Sequence, residues 1–120
     1  MSFYYYALNH EAKKAYDLNK GCWYSIGKKD NERSGYFLDT SDLAKLVEFV
    51  ESQGFCENYA LRIAESLRFL GNELEIVSSG DSWWEQKGGF LCRDDMWDNE
   101  TQSYNDGYNI TGSVYDLYEE

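Results

Sequence analysis

The sequence predicts an α+β fold: a mostly antiparallel sheet with two amphipathic helices packed on one face. Three observations carry this expectation. Short runs rich in Tyr, Phe, Val and Ile occupy both ends of the chain. Two segments with helical spacing of apolar residues stand together in the middle. Gly, Asn and Asp punctuate the rest, with ten glycines and no proline. Strands, then helices, then strands is the order of an α+β protein. At 120 residues the expectation is a single domain over 1–120, large enough to bury a core without metal or disulfide.

The elements follow in order. Phe3 to Leu8 is aromatic-rich and reads as a strand, Asn9-His10-Glu11 supplies turn chemistry, and Lys14 to Leu18 returns as the second arm of a hairpin. Gly21 breaks it, and Cys22 to Ile26 reads as a third strand. The polar stretch Gly27 to Ser34 is expected to be a loop, and Gly35 to Leu38 a fourth strand. Leu43, Leu46, Val47 and Val50 make one apolar stripe, so a helix is expected here. Thr40 or Ser41 would cap it, Asp42 would sit near the positive end of its dipole, and Gly54 would stop it. Asn58 is the expected cap of a second helix, whose buried face is Ala60, Ile63, Ala64, Leu67 and Leu70 and whose end is Gly71.

Glu73 to Val77 alternates like a strand, and Ser78 to Asp81 reads as a turn. Ser82-Trp83-Trp84-Glu85 is ambiguous between strand and helix start. Gly88-Gly89 is a break before a strand at Phe90-Leu91-Cys92. Asn105-Asp106-Gly107 is the strongest short hairpin signal, because Asp-Gly suits a turn with positive φ. It predicts pairing of Thr101–Tyr104 with Tyr108–Thr111. The end, Val114 to Glu120, would add a short strand or lie loose.

Charge narrows the function. The chain has 22 acids against 11 bases, a net charge of −11. Proteins that grip phosphate backbones or anionic lipid carry clustered Lys and Arg, so direct nucleic-acid binding and membrane binding are both disfavoured. The charge is also uneven. Eight acids and no base lie from Asp94 onward, so −8 of the −11 falls in the last 27 residues. Trp97, Tyr104, Tyr108, Tyr115 and Tyr118 are interleaved with them.

Two clusters stand out as partner-binding candidates. In the first, Asp81 and Glu85 bracket Trp83 and Trp84; in the second, Asp94, Asp95, Asp98 and Glu100 surround Trp97. Adjacent tryptophans on a strand point to opposite faces, so one of them is free to meet a partner. Indole and phenol rings set among charges are the anchors of tight protein interfaces. The plainer expectation, a solvated acidic surface with the indoles in the core, holds for at least two of the four tryptophans.

Chemistry for catalysis is sparse. His10 is the lone histidine and falls in an expected turn, which suits a surface role better than a nucleophile's base. Neither a zinc spacing nor a phosphate loop occurs, and the alternating acids Asp94, Asp98 and Glu100 lack the glycine and ligand order of a calcium loop. No cofactor and no metal is therefore expected. Cys22, Cys56 and Cys92 are widely spaced and odd in number, which suits a reducing cytoplasm, although a pairing of two of them stays open. Met1 to Leu8 has neither the basic nor the apolar segment of a secretory signal, in keeping with that compartment.

The sequence thus predicts a non-enzymatic, stoichiometric inhibitor that binds a basic protein. Its most concrete form is an immunity protein that neutralises a bacterial toxin of the nuclease type. The alternative is a phage anti-defence protein, an inhibitor of CRISPR or restriction enzymes that mimics nucleic acid.

Overall fold

The computed structural model describes residues 4–19, 28–30, 35–79, 84–104 and 107–117. The expected strand Cys22–Ile26 lies outside them. The chain opens with a hairpin of β1 (Tyr5–Asn9) and β2 (Lys14–Asn19), in register from Tyr6↔Asp17 to Asn9↔Lys14. Asn9 organises the turn: its Oδ1 accepts the backbone N–H groups of Glu11 (3.0 Å) and Ala12 (3.1 Å). Lys28–Asp30 forms a short strand, β3, paired with β4 (Gly35–Asp39). This corrects the loop expected over Gly27–Ser34. Composition argued for a loop, but a Lys-Lys-Asp strand is well suited to a sheet edge, where charge guards against further pairing.

Two helices follow, α1 (Leu43–Glu51) and α2 (Glu57–Leu70). Asp42 is the true cap of α1, its carboxylate accepting the Lys45 N–H at 3.2 Å, so the cap falls just after Thr40 and Ser41. Thr40 has other work: it is fully buried, its hydroxyl donates to the Gly71 carbonyl, and its N–H donates to the Asn72 carbonyl. Those bonds tie the start of α1 to the end of α2. Helix α2 begins one residue before the expected cap Asn58, with Cys56 in the cap position and no side-chain cap bond. Its buried face is Ala60, Ile63, Ala64, Leu67 and Leu70, as the periodicity predicts. Asn9 Nδ2 donates to the Leu70 carbonyl at 2.7 Å, and this contact sets the residue type at Gly71, where a Cβ would meet Asn9 Nδ2 at 2.8 Å.

The chain continues as β5 (Glu73–Ser78), β6 (Glu85–Lys87), β7 (Phe90–Cys92), β8 (Trp97–Asp98), β9 (Ser103–Tyr104) and β10 (Tyr108–Ser113). Gly88 and Gly89 link β6 to β7 with φ of +57° and +86°, a turn that other residues enter only with strain. The main sheet has the order β3-β4-β5-β1-β2-β10-β7-β6, and β8 pairs with β9 as a separate ribbon. Among the described residues all pairs are antiparallel except β2 with β10.

The hairpin expected around Asp106-Gly107 does not form. Tyr108–Thr111 is in β10, whose two edges are taken by β2 and β7, while Ser103–Tyr104 pairs with Trp97–Asp98. A local turn preference is worth less than burying Tyr108, which is 4% exposed. After β10 the chain ends its described part in a 3-10 turn, Val114–Leu117, rather than a strand.

The sheet has apolar residues on both faces. Ala7, Tyr16, Leu18, Leu38, Leu74 and Ile76 meet the stripes of α1 and α2, with Val114 closing one end. On the other face Tyr6, Leu8, Ala15 and Val77 pack with Trp84, Leu91 and Tyr108. This second core lies opposite the helices and is closed by the later strands. Period-2 alternation sends Tyr6 and Leu8 to one face and Ala7 to the other. No helix among the described residues is long and apolar enough to cross a membrane.

Candidate functional site

The face opposite the helices carries the polar and aromatic chemistry. Its centre is a run of three rings. Trp84 meets Tyr108 edge to face at 5.5 Å, and Tyr108 meets His10 edge to face at 5.5 Å. Cations cap the run: the Arg93 guanidinium lies 4.8 Å from the Trp84 ring, and Lys13 Nζ lies 4.8 Å from the Tyr108 ring. His10 joins two strands through its imidazole, Nδ1 meeting the Tyr108 hydroxyl at 2.6 Å and Nε2 meeting the Glu75 carboxylate at 2.5 Å. Spacing gave no hint of this, since Glu75 and Tyr108 are 65 and 98 residues away. The turn after β1 brings His10 there because β5 and β2 flank β1, and β10 flanks β2.

Trp84, a predicted anchor, is therefore a core ring. It is 4% exposed, and its Nε1–H has no acceptor among the described residues. Asp81 and Trp83 lie outside the described residues. Glu85 is exposed on the edge strand β6, 3.8 Å from Lys87 Nζ. Beside these two lies a depression of about 530 Å³, lined by Tyr4, Tyr6, Asp17, Ser79, Trp84, Glu85 and Gln86. Gln86 Nε2 donates to Asp17 Oδ2 at 2.6 Å and reaches the Tyr6 hydroxyl at 3.3 Å. Asp17 Oδ1 accepts the Asn19 N–H at 2.8 Å, so its carboxylate is held from both sides. Burial pushes the Tyr6 phenol above its ordinary pKa of 10.0, and it stays a neutral hydroxyl at pH 7.

The second predicted cluster sits on the β8–β9 ribbon and the 3-10 turn before it, Asp94–Met96. The side chain of Asp94 lies outside the described residues. Asp95 is exposed and accepts from Arg93 Nε at 3.1 Å. Trp97 is 39% exposed, its Nε1–H donating to Asn99 Oδ1 at 3.0 Å. Asp98 is half-buried and accepts the Glu100 N–H at 2.8 Å, while the Glu100 carboxylate faces water. Gln102 Nε2 donates to the Asn99 carbonyl at 2.7 Å, which closes the turn of the ribbon.

Arg93 is the residue that the sequence reading passed over. It stands one position before the base-free segment, yet it covers Trp84 and pairs with Asp95. The structure thereby joins one residue of each predicted cluster through a cation, and part of the acidity at Asp95 is answered inside the molecule. Among the described residues no group of three or more His, Cys, Asp or Glu is placed to hold a metal ion. No protein-family model, no curated protein and no solved structure matches this chain.

Proposed function

We propose that the protein is a stoichiometric inhibitor that binds a basic protein through its acidic ribbon, in the manner of an immunity protein that neutralises a nuclease-type toxin. One observation supports this reading above the others. Trp97 keeps its ring 39% exposed, with its N–H fixed to Asn99, on a ribbon that also carries Asp98 and Glu100, in a chain of net charge −11. A large aromatic ring left partly at the surface offers area that a partner can bury. Held in place beforehand, it loses little freedom on binding.

The field of such a chain draws a cationic partner from a distance, and the ring supplies buried area on arrival. Nuclease grooves are lined with Lys and Arg to hold phosphate, which makes them the complementary surface. The test is inhibition of a basic nuclease-type toxin, titrated to its end point at low and high salt. A one-to-one end point, an affinity that falls steeply with salt, and a loss of about tenfold or more in Trp97→Ala are the expected results. Salt-insensitive binding would refute the mechanism. Inhibition of a phage-defence nuclease instead of a toxin would move the protein to the anti-defence class.

A further inference from the structure

The depression between β1, β2 and β6 has the makings of a receptor for one side chain of that partner. Two carboxylates, Asp17 and Glu85, line it, and no basic residue does so among the described residues. The rest of the lining is aromatic or neutral and polar. Tyr4 is 43% exposed, the Tyr6 hydroxyl is bonded to Gln86, and Ser79 contributes its hydroxyl. The Asp17 carboxylate is already oriented by Gln86 and by the Asn19 N–H, so it does not have to be ordered by a ligand. Each of its oxygens has a second lone pair available. The indole of Trp84 also lines the depression, its N–H buried and without an acceptor among the described residues.

Two carboxylates beside phenol and indole rings select a planar cation with several donors. A guanidinium stacks on rings and bonds carboxylates in a fork, which an ammonium cannot do. The exposed Lys87, 3.8 Å from Glu85, is a weak competitor at that distance and exposure. We infer that this depression binds a peptide-linked arginine side chain. The inference rests on the partner's being a basic protein and names the residue it inserts.

The experiment titrates ¹⁵N-labelled protein with N-acetyl-arginine methylamide and follows the indole and amide resonances. Saturable shifts at Trp84 Nε1–H and at β6 amides are expected. Asp17→Asn and Glu85→Gln should each weaken binding about tenfold, the effect of losing one charge-assisted hydrogen bond. Glu100→Gln on the ribbon should leave it unchanged, and the isosteric citrulline compound should not bind. Absence of a saturable shift, equal shifts with citrulline, or equal weakening by Glu100→Gln would each overturn the inference. Glu85 is exposed, so its variant tests the site even where Asp17→Asn unfolds the hairpin. Failure here together with salt-sensitive nuclease inhibition that needs Trp97 would remove the arginine site and leave the inhibitor reading standing.

Discussion

Truncating Leu91 to alanine tests whether the second core is part of one cooperative fold. Leu91 is fully buried on β7, between Tyr108 of β10 and Gln86 of β6, and packs in the cluster with Trp84 and Leu8. Removing a buried leucine side chain costs about 2–5 kcal/mol, a transfer term plus the cavity left behind. The upper half of that range needs a site that cannot collapse. Leu91 lies in a short strand near one end of the sheet, where neighbours have room to follow, so a loss of about 3 kcal/mol is expected. Against a total of roughly 5–15 kcal/mol for a domain, that is a large fraction. With a urea dependence of about 2 kcal/mol per molar, the midpoint should fall by about 1.5 M. The control is Phe69→Ala on the outer face of α2, where a ring 93% exposed should change stability by less than about 0.5 kcal/mol. Far-UV circular dichroism follows the helices on one face, and tryptophan fluorescence includes Trp84 on the other. The two transitions should coincide. A loss below about 1 kcal/mol for Leu91→Ala, or fluorescence changing well before the helices melt, would refute the reasoning.

Other predictions address the polar face and the titrating groups. Tyr108→Phe keeps the ring contacts with His10 and Trp84 but deletes the hydroxyl, so it should cost about 1 kcal/mol, and a double-mutant cycle with His10→Ala should show coupling near that value by chemical denaturation. Burial raises the phenols of both Tyr6 and Tyr16 above 10.0, so the folded protein holds those protons more tightly than the unfolded chain does. Their contribution is fully present below pH 10 and is lost as pH climbs through the raised values. Stability measured by urea titration should therefore fall above pH 10, and less so in Tyr16→Phe. Of the two described thiols, Cys56 is exposed and Cys92 is buried with its pKa pushed above 9.0 by that burial. A thiol reagent should modify Cys56 in the native protein and reach Cys92 only on unfolding, as peptide mapping would show.

Local patterns carried most of the architecture. The buried face of α2 is read directly from Ala60, Ile63, Ala64, Leu67 and Leu70, because a 3.6-residue period leaves one solution. The first hairpin was legible from its aromatic-rich run and its turn residues, and β5 from alternation at period 2. Pairing between distant strands was not. The Asp106-Gly107 signal is real chemistry for a hairpin, yet the partner of Tyr108–Ser113 was decided by β2 and β7, which no local window contains.

The candidate site was legible only in part. Trp97 is partly exposed, Asp95 and Glu100 are exposed, and Asp98 is half-buried on the ribbon. Trp84 went to the core, because a ring beside Tyr108 and under Arg93 replaces water with better contacts. The joining of His10, Glu75 and Tyr108 is a product of topology alone.

The parallel ladder of β2 and β10 bears on how the chain assembles. β10 lies between β2 and β7, so the β6–β7 hairpin joins the backbone ladder of the main sheet through it. During synthesis the first hairpin, α1, α2 and β5 leave the ribosome long before residue 113 does. Until then the open side of β2 is a bare template, and Leu8, Ala15 and Val77 are without Tyr108 and Ile110 above them. The nascent protein is thus most prone to capture by chaperones, or by another copy of itself, in the interval before its sixth strand in spatial order slots home.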